Sequence, residues 1–162
     1  MSIQICVFDA YGTLFDVSAA ARTAAARPGG AALTETWPQI AEDWRRKQLE
    51  YSWLRAVTGD YTSFWQVTQE GLDWALEKAG LGADQDLRKT LLGLYWELEA
   101  YPEVPDVLAR LQTADKTCAI LSNGSPDMLQ AAVDSAGLGA HLDALLSVDS
   151  VGIFKPARVV YD

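Results

Sequence analysis

Histidine is almost missing from this chain of 162 residues: His141 is the only one, and only two cysteines, Cys6 and Cys118, accompany it. One imidazole, placed in a connection away from the candidate strand ends, gives no support to a Ser-His-Asp or Cys-His system, and no His and Cys set has zinc-ligand spacing. Each cysteine lies inside a hydrophobic run, where a reduced, inert thiol is expected rather than a bridge. Positive charge is also scarce. Lys plus Arg number 13 against 22 Asp plus Glu, and the resulting charge of -9 repels both a phosphate backbone and an anionic membrane, so neither is an expected partner. No apolar run approaches the roughly 18 residues that span a bilayer, and the N-terminus lacks the basic and apolar segments of a signal peptide, so a cytoplasmic protein is expected. With 12 Gly and 6 Pro the composition is neither collagen-like nor disordered.

What is present is a globular composition, 49% apolar and 22% charged, in a length that suits one domain with a sizeable core. Ile3-Gln4-Ile5-Cys6-Val7-Phe8 reads as a strand buried on both faces of a parallel sheet. Ala119-Ile120-Leu121 and Ala144-Leu145-Leu146-Ser147-Val148 repeat the pattern. Helical sequence separates them, so the fold class predicted is α/β, a Rossmann-like parallel core with crossover helices. The helix before the last strand is well punctuated: Ser125 to cap it, Pro126 in its first turn, a stripe of Met128, Leu129, Ala132 and Val133, and Gly137 to end it. A further helix is expected over Asp106–Ala114, after Pro102 and Pro105. From about Trp37 to Glu99 strand patterning disappears, and three helices are read, broken near Gly59-Asp60 and Gly80-Leu81-Gly82. All six tryptophans lie here, which makes the segment a helical cap with its own core. The domain division is therefore 1–16 and 100–162 for the sheet core and 17–99 for the cap, with an Ala-rich helix at 19–26.

In an open parallel sheet, ligands sit beyond the carboxyl ends of the strands. There the sequence places Asp9, Ser122-Asn123-Gly124 and Lys155. A carboxylate at the end of an apolar strand is costly unless paired or used, or it caps the turn that Gly12 invites. Ser122 and Asn123 supply a hydroxyl and an amide on a flexible backbone suited to an anion, or form an ordinary Asn-Gly turn. Lys155 supplies a cation. The case for a site rests on all three reaching one sheet edge. The acids Asp84, Asp86, Glu97 and Glu99 read as solvated helix faces, and Arg46 as a surface residue.

Phe8-Asp9-Ala10-Tyr11-Gly12-Thr13-Leu14-Phe15-Asp16, then Leu121-Ser122-Asn123-Gly124 and Lys155-Pro156, resembles the haloacid dehalogenase superfamily. Trp44-Arg45-Arg46-Lys47-Gln48-Leu49-Glu50-Tyr51-Ser52-Trp53-Leu54-Arg55 is similar to the cap of its L-2-haloacid dehalogenases. The resemblance covers essentially the whole chain. It implies Asp9 as nucleophile, Thr13 as its hydrogen-bonding support, Arg45 as receiver of the departing halide, and Ser122 and Asn123 as holders of the substrate carboxylate and leaving group. Lys155 would orient Asp9, with Tyr161 in the same charge network, and Ala10, Tyr11, Leu49 and Phe64 would line the substrate pocket. The implied reaction is hydrolysis of short L-2-haloacids to D-2-hydroxyacids through an aspartyl ester, with inversion, in a homodimer.

The residue types suit that chemistry. Lys155 offsets the desolvation that would protonate Asp9, and a guanidinium beyond the reacting carbon stabilises a leaving halide more in the transition state than before it. The superfamily's metal-dependent phosphatases carry a second aspartate two positions after the nucleophile, where this chain has Tyr11. A phosphate dianion beside Asp9 would be repelled by on the order of 8 kcal/mol, twice the roughly 4 for unit charges 4 Å apart at intermediate dielectric, so phosphatases recruit magnesium. A monoanionic haloacid halves that, and no cofactor or metal is expected. The resemblance also implies further strands and a fourth motif after Asp162, without which an edge beside Asp9 is exposed. The alternatives are a truncated non-catalytic remnant of the fold and a metal-independent phosphatase.

Overall fold

The structure, a computed structural model, describes residues 3–28 and 30–162. Its three strands, β1 (Ile5–Phe8), β2 (Thr117–Ser122) and β3 (Ala144–Ser147), form a parallel sheet in the order β1-β2-β3. Phe8 pairs with Ile120, which pairs with Leu145, and Ser122 pairs with Ser147. The register therefore brings Asp9 level with Leu121, so that the first two candidate motifs emerge side by side.

The helical part is α1 (Ala19–Ala26), α2 (Trp37–Thr58), α3 (Phe64–Lys78) and α4 (Gln85–Tyr95); α5 (Val104–Thr113) leads into β2, and α6 (Pro126–Ser135) joins β2 to β3. α2 and α3 pack along each other, and α1 packs against α2 and α4. The first break falls at Gly59, whose φ of +74° only glycine adopts cheaply, as predicted. Ser63 restarts the chain by accepting the Gln66 N–H at 3.2 Å, and Asp84 does the same for the Leu87 N–H at 2.9 Å. Asp84 is thus a helix cap, and it is exposed to solvent as the sequence reads it. Ser125 does stand at the start of α6 with Pro126 behind it, but its side chain makes no capping bond.

The sheet departs from the sequence reading in one respect. β1 is not buried on both faces: Ile5 and Val7 are 60% and 54% exposed, while Cys6 and Phe8 are half-buried. Ile5, Val7, Thr117 and Leu146 share one side by register, and all are exposed, whereas Cys118 and Ile120 on the other side are buried with Leu108 of α5 and Leu129 of α6. Both helices cover the same face, and β1 is an edge of the sheet. The chain after Lys155 forms a single 3-10 turn, Arg158–Val160.

Of the tryptophans, Trp44 is fully buried and donates its indole N–H to the Thr68 carbonyl at 2.8 Å, while Trp53 is 54% exposed. Arg46 is a surface residue, as the sequence reads it, and it is ion-paired. It pairs at 2.5 Å with Asp43, whose carboxylate also receives Lys78 at 2.7 Å and, though buried, is held below the usual range by those partners.

Candidate active site

Asp9 leaves β1 into a tight turn in which the Ala10 carbonyl accepts the N–H groups of Thr13, Leu14 and Phe15, and Gly12 donates to the Phe15 carbonyl at 2.8 Å. Gly12 has φ +82°, and a Cβ there would lie 2.5 Å from Nη2 of Arg45. The turn therefore needs glycine twice over, for its backbone and for the guanidinium that packs on it. Lys155 reaches back from the third motif. Its Nζ donates to Asp9 Oδ1 at 2.6 Å and to the Leu121 carbonyl at 2.8 Å, and its backbone N–H donates to Asn123 Oδ1 at 2.9 Å. The cation is thus tied to both neighbouring strand ends. Asp9 Oδ2 keeps no hydrogen bond among the described residues.

Ser122 is buried, and its Oγ accepts the Gly124 N–H at 3.0 Å, which leaves the hydroxyl proton free to donate. A Cβ on Gly124 would meet the Tyr11 ring at 2.7 Å, so this second glycine lets the aromatic wall close on the loop. The Tyr11 ring stacks on Tyr95 with centroids 5.6 Å apart and lies 5.5 Å from Phe64. Burial, with Tyr95 and Asp9 nearby, pushes the Tyr11 phenol well above its ordinary range. Tyr95 is pushed up to about 12, chiefly by burial. Both rings stay neutral.

These groups enclose a cavity of about 250 Å³. Asp9, Arg45, Ser122, Asn123, Lys155 and Tyr161 supply its polar lining, and Tyr11, Leu49 and Phe64 its apolar wall, so nine of the predicted residues meet in one place. Two do not. Ala10 is buried behind the turn and Thr13 is exposed; neither lines the cavity, and Thr13 makes no hydrogen bond to Asp9 among the described residues. Arg45, half-buried, has no carboxylate partner among the described residues, in contrast to Arg22, Arg46, Arg55, Arg88 and Arg158. It also lines a larger adjoining cavity of about 690 Å³, which shares Leu49 and Trp53 with the first. A guanidinium without a carboxylate partner among the described residues, lining the same small cavity as a lysine-held carboxylate, is suited to receive an anion.

The family profile of the haloacid dehalogenase-like hydrolases matches residues 3–161. The chain belongs to that family. This haloacid dehalogenase-like hydrolase is 46% identical over 159 residues to (S)-2-haloacid dehalogenase 1 of Pseudomonas sp. strain CBS-3, covering 98% of this chain and 68% of that one. It is 48% identical over 155 residues to (S)-2-haloacid dehalogenase of Xanthobacter autotrophicus, covering 95% and 58%. Among solved structures, L-2-haloacid dehalogenase from Xanthobacter autotrophicus superposes with TM-score 0.83 at 46% identity over 99% of this chain and 62% of that one, and a second structure of it has chloropropionic acid covalently bound. The hydrolase thus spans between about three fifths and two thirds of these relatives' length.

Sequence reasoning missed three residues of the site. Trp53, not singled out from the other tryptophans of the helical segment, lines both cavities. Tyr95, fully buried, backs the Tyr11 wall, and nothing in its local sequence marks it. Gly12 was read as a turn residue, and its second task, making room for Arg45, is visible only in three dimensions.

Proposed function

We propose that this chain carries the site of a hydrolytic dehalogenase that converts short L-2-haloacids to D-2-hydroxyacids, inverting C2, through an ester on Asp9. The observation that supports the reading is that two cations line one cavity with Asp9: Lys155, on Asp9 Oδ1 at 2.6 Å, and Arg45, which has no carboxylate partner among the described residues. Oδ2 of Asp9 attacks C2, the carbon–halogen bond breaks, and the halide departs with its electron pair toward Arg45. Ser122 and Asn123 take the substrate carboxylate, and Tyr11, Leu49 and Phe64 hold its alkyl group. Water then adds to the Asp9 carboxyl carbon, and the Oδ2–carbonyl bond breaks to release the hydroxyacid. The (S)-2-haloacid dehalogenases among the relatives and the covalent chloropropionic acid complex of one of them support this chemistry.

The domain division at 17–99, a cytoplasmic location and a homodimer belong to the same proposal. Burial raises the Cys118 thiol and so favours a reduced, inert cysteine, which suits that compartment. No described helix is long and apolar enough to cross a membrane.

Mixing with (S)-2-chloropropionate, quenching and sequencing peptides by mass spectrometry is expected to place an ester on Asp9, with halide released. Label on another residue, or no halide from a panel of chloro- and bromo-acids, overturns the reading. Phosphate released from phosphate esters would favour the metal-independent phosphatase instead.

A further inference from the structure

Between the two cations runs a continuous series of rings. Tyr61, in the connection between α2 and α3, lies 4.9 Å from Phe154; Phe154 lies 6.3 Å from Phe64, Phe64 5.5 Å from Tyr11, Tyr11 5.6 Å from Tyr95, and Tyr95 4.9 Å from Trp44. Phe154 and Trp44 are fully buried. They are also the residues immediately before Lys155 and Arg45. Packed rings transmit displacement because a close-packed interior has no slack to absorb it. The stack thus links the chain beside Lys155 to the chain beside Arg45.

One end of the stack is fastened by a polar contact that the reaction itself does not use. The Tyr61 hydroxyl donates to Asp149 Oδ1, across from the cap to the 3-10 turn (Val148–Ser150) that follows β3. Asp149 is anchored in turn: its N–H donates to Ser147 Oγ at 3.1 Å, and Ser147 donates to the Gly124 carbonyl at 2.7 Å, in the loop that holds Ser122 and Asn123. Burial and the Asp149 carboxylate both push the Tyr61 phenol upward, so its proton stays in place to make the bond. The contact ties the helical segment to the loop that follows β2, one of the three strand-end motifs.

We propose that Tyr61 and Asp149 are a positioning pair for the displacement: their hydrogen bond clasps cap to core beside Phe154 and, through the ring stack, fixes where Arg45 stands relative to Asp9. Neither residue lines the cavity. This rests on the dehalogenase reading, and its signature is a dependence on leaving group. Chloride departs less readily than bromide and needs the guanidinium more, so a displaced Arg45 slows chloride release further than bromide release.

The test is pre-steady-state halide release from (S)-2-chloro- and (S)-2-bromopropionate by the whole chain and its Tyr61→Phe, Asp149→Ala and Asp149→Asn variants. Tyr61→Phe keeps the ring and loses the donor, and the bromide-to-chloride rate ratio is expected to rise about threefold or more, with KM changing less than kcat. Asp149→Ala should match it, and Asp149→Asn, whose amide oxygen still accepts, should return toward the parent ratio. Equal losses for both halides, or an unchanged ratio in Tyr61→Phe, overturn the proposal. If the parent chain releases no halide at all, the dehalogenase reading fails, and hydrogen exchange judges the clasp separately. Tyr61→Phe should then raise exchange both in 148–155 and in the α2 turn around Arg45. A rise confined to 60–63 refutes the coupling.

Discussion

Gly12 and Gly59 share nearly the same backbone, φ +82° and +74°, but not the same surroundings. A Cβ at Gly59 meets nothing within 4 Å, whereas one at Gly12 strikes the Arg45 guanidinium at 2.5 Å. Alanine at either position bears the left-handed backbone penalty, about 1–2 kcal/mol. Only Gly12→Ala also displaces the anion receiver. Urea unfolding should therefore show similar losses for both variants, while halide release falls by roughly tenfold or more for Gly12→Ala and stays near the parent for Gly59→Ala. Equal activities would separate Gly12 from the site. Arg45 and Arg46 make the same point without mutation: adjacent on α2, one is paired with Asp43 and the other left without a carboxylate. Their sequence neighbourhood is shared, and the helix rotation between them decides the roles.

α2, α3 and α4 are held together by polar contacts as well as by rings. Gln48 is 1% exposed and donates to Thr68 Oγ1 at 2.9 Å and to the Tyr95 hydroxyl at 3.0 Å, joining three helices at one buried point. The Tyr95 phenol, raised from 10.0 to about 12, binds its proton more tightly folded than unfolded. Its contribution is thus fully present below pH 10 and is lost as pH rises from there toward 12, by linkage on the order of 3 kcal/mol for two pH units. Denaturant midpoints should be flat up to about pH 10 and fall above it, and Tyr95→Phe should make that fall shallower, the raised Tyr11 and Tyr61 phenols supplying the rest. A midpoint unchanged at pH 11 would contradict the assignment.

At the scale of the whole molecule, two of the places where large apolar side chains are exposed among the described residues lie on regular elements with several such residues together. One is the sheet face with Ile5, Val7 and Leu146; the other is a helical stripe on α2 where Trp53, Leu54 and Val57 are 54%, 55% and 86% exposed. Apolar residues gathered on one helix face favour association over solvation, and a second copy offers the same stripe in reverse under a two-fold axis. This supports the proposed homodimer through α2. Sedimentation should show Val57→Glu shifted to monomer with its far-ultraviolet dichroism retained; a parent that sediments as monomer at all concentrations would refute it.

The sequence by itself determined the parallel α/β order, the run of helices between β1 and β2, and the three motifs at strand ends. These follow from hydrophobic periodicity and from Gly and Pro punctuation, both local properties of the chain. It also marked nine of the residues that meet in the cavity, because strand-end position and motif spacing survive without coordinates. Only the tertiary structure decided that Arg45 rather than Arg46 stands unpaired, that Trp53 faces the cavities, that Tyr95 backs Tyr11, and that Thr13 lies outside. Those outcomes depend on which element packs opposite a side chain, a contact between residues far apart in the chain that no local pattern encodes. β1 was misread for the same reason: a continuous apolar run records what a strand is able to bury, and the layers around it settle which of its faces are covered.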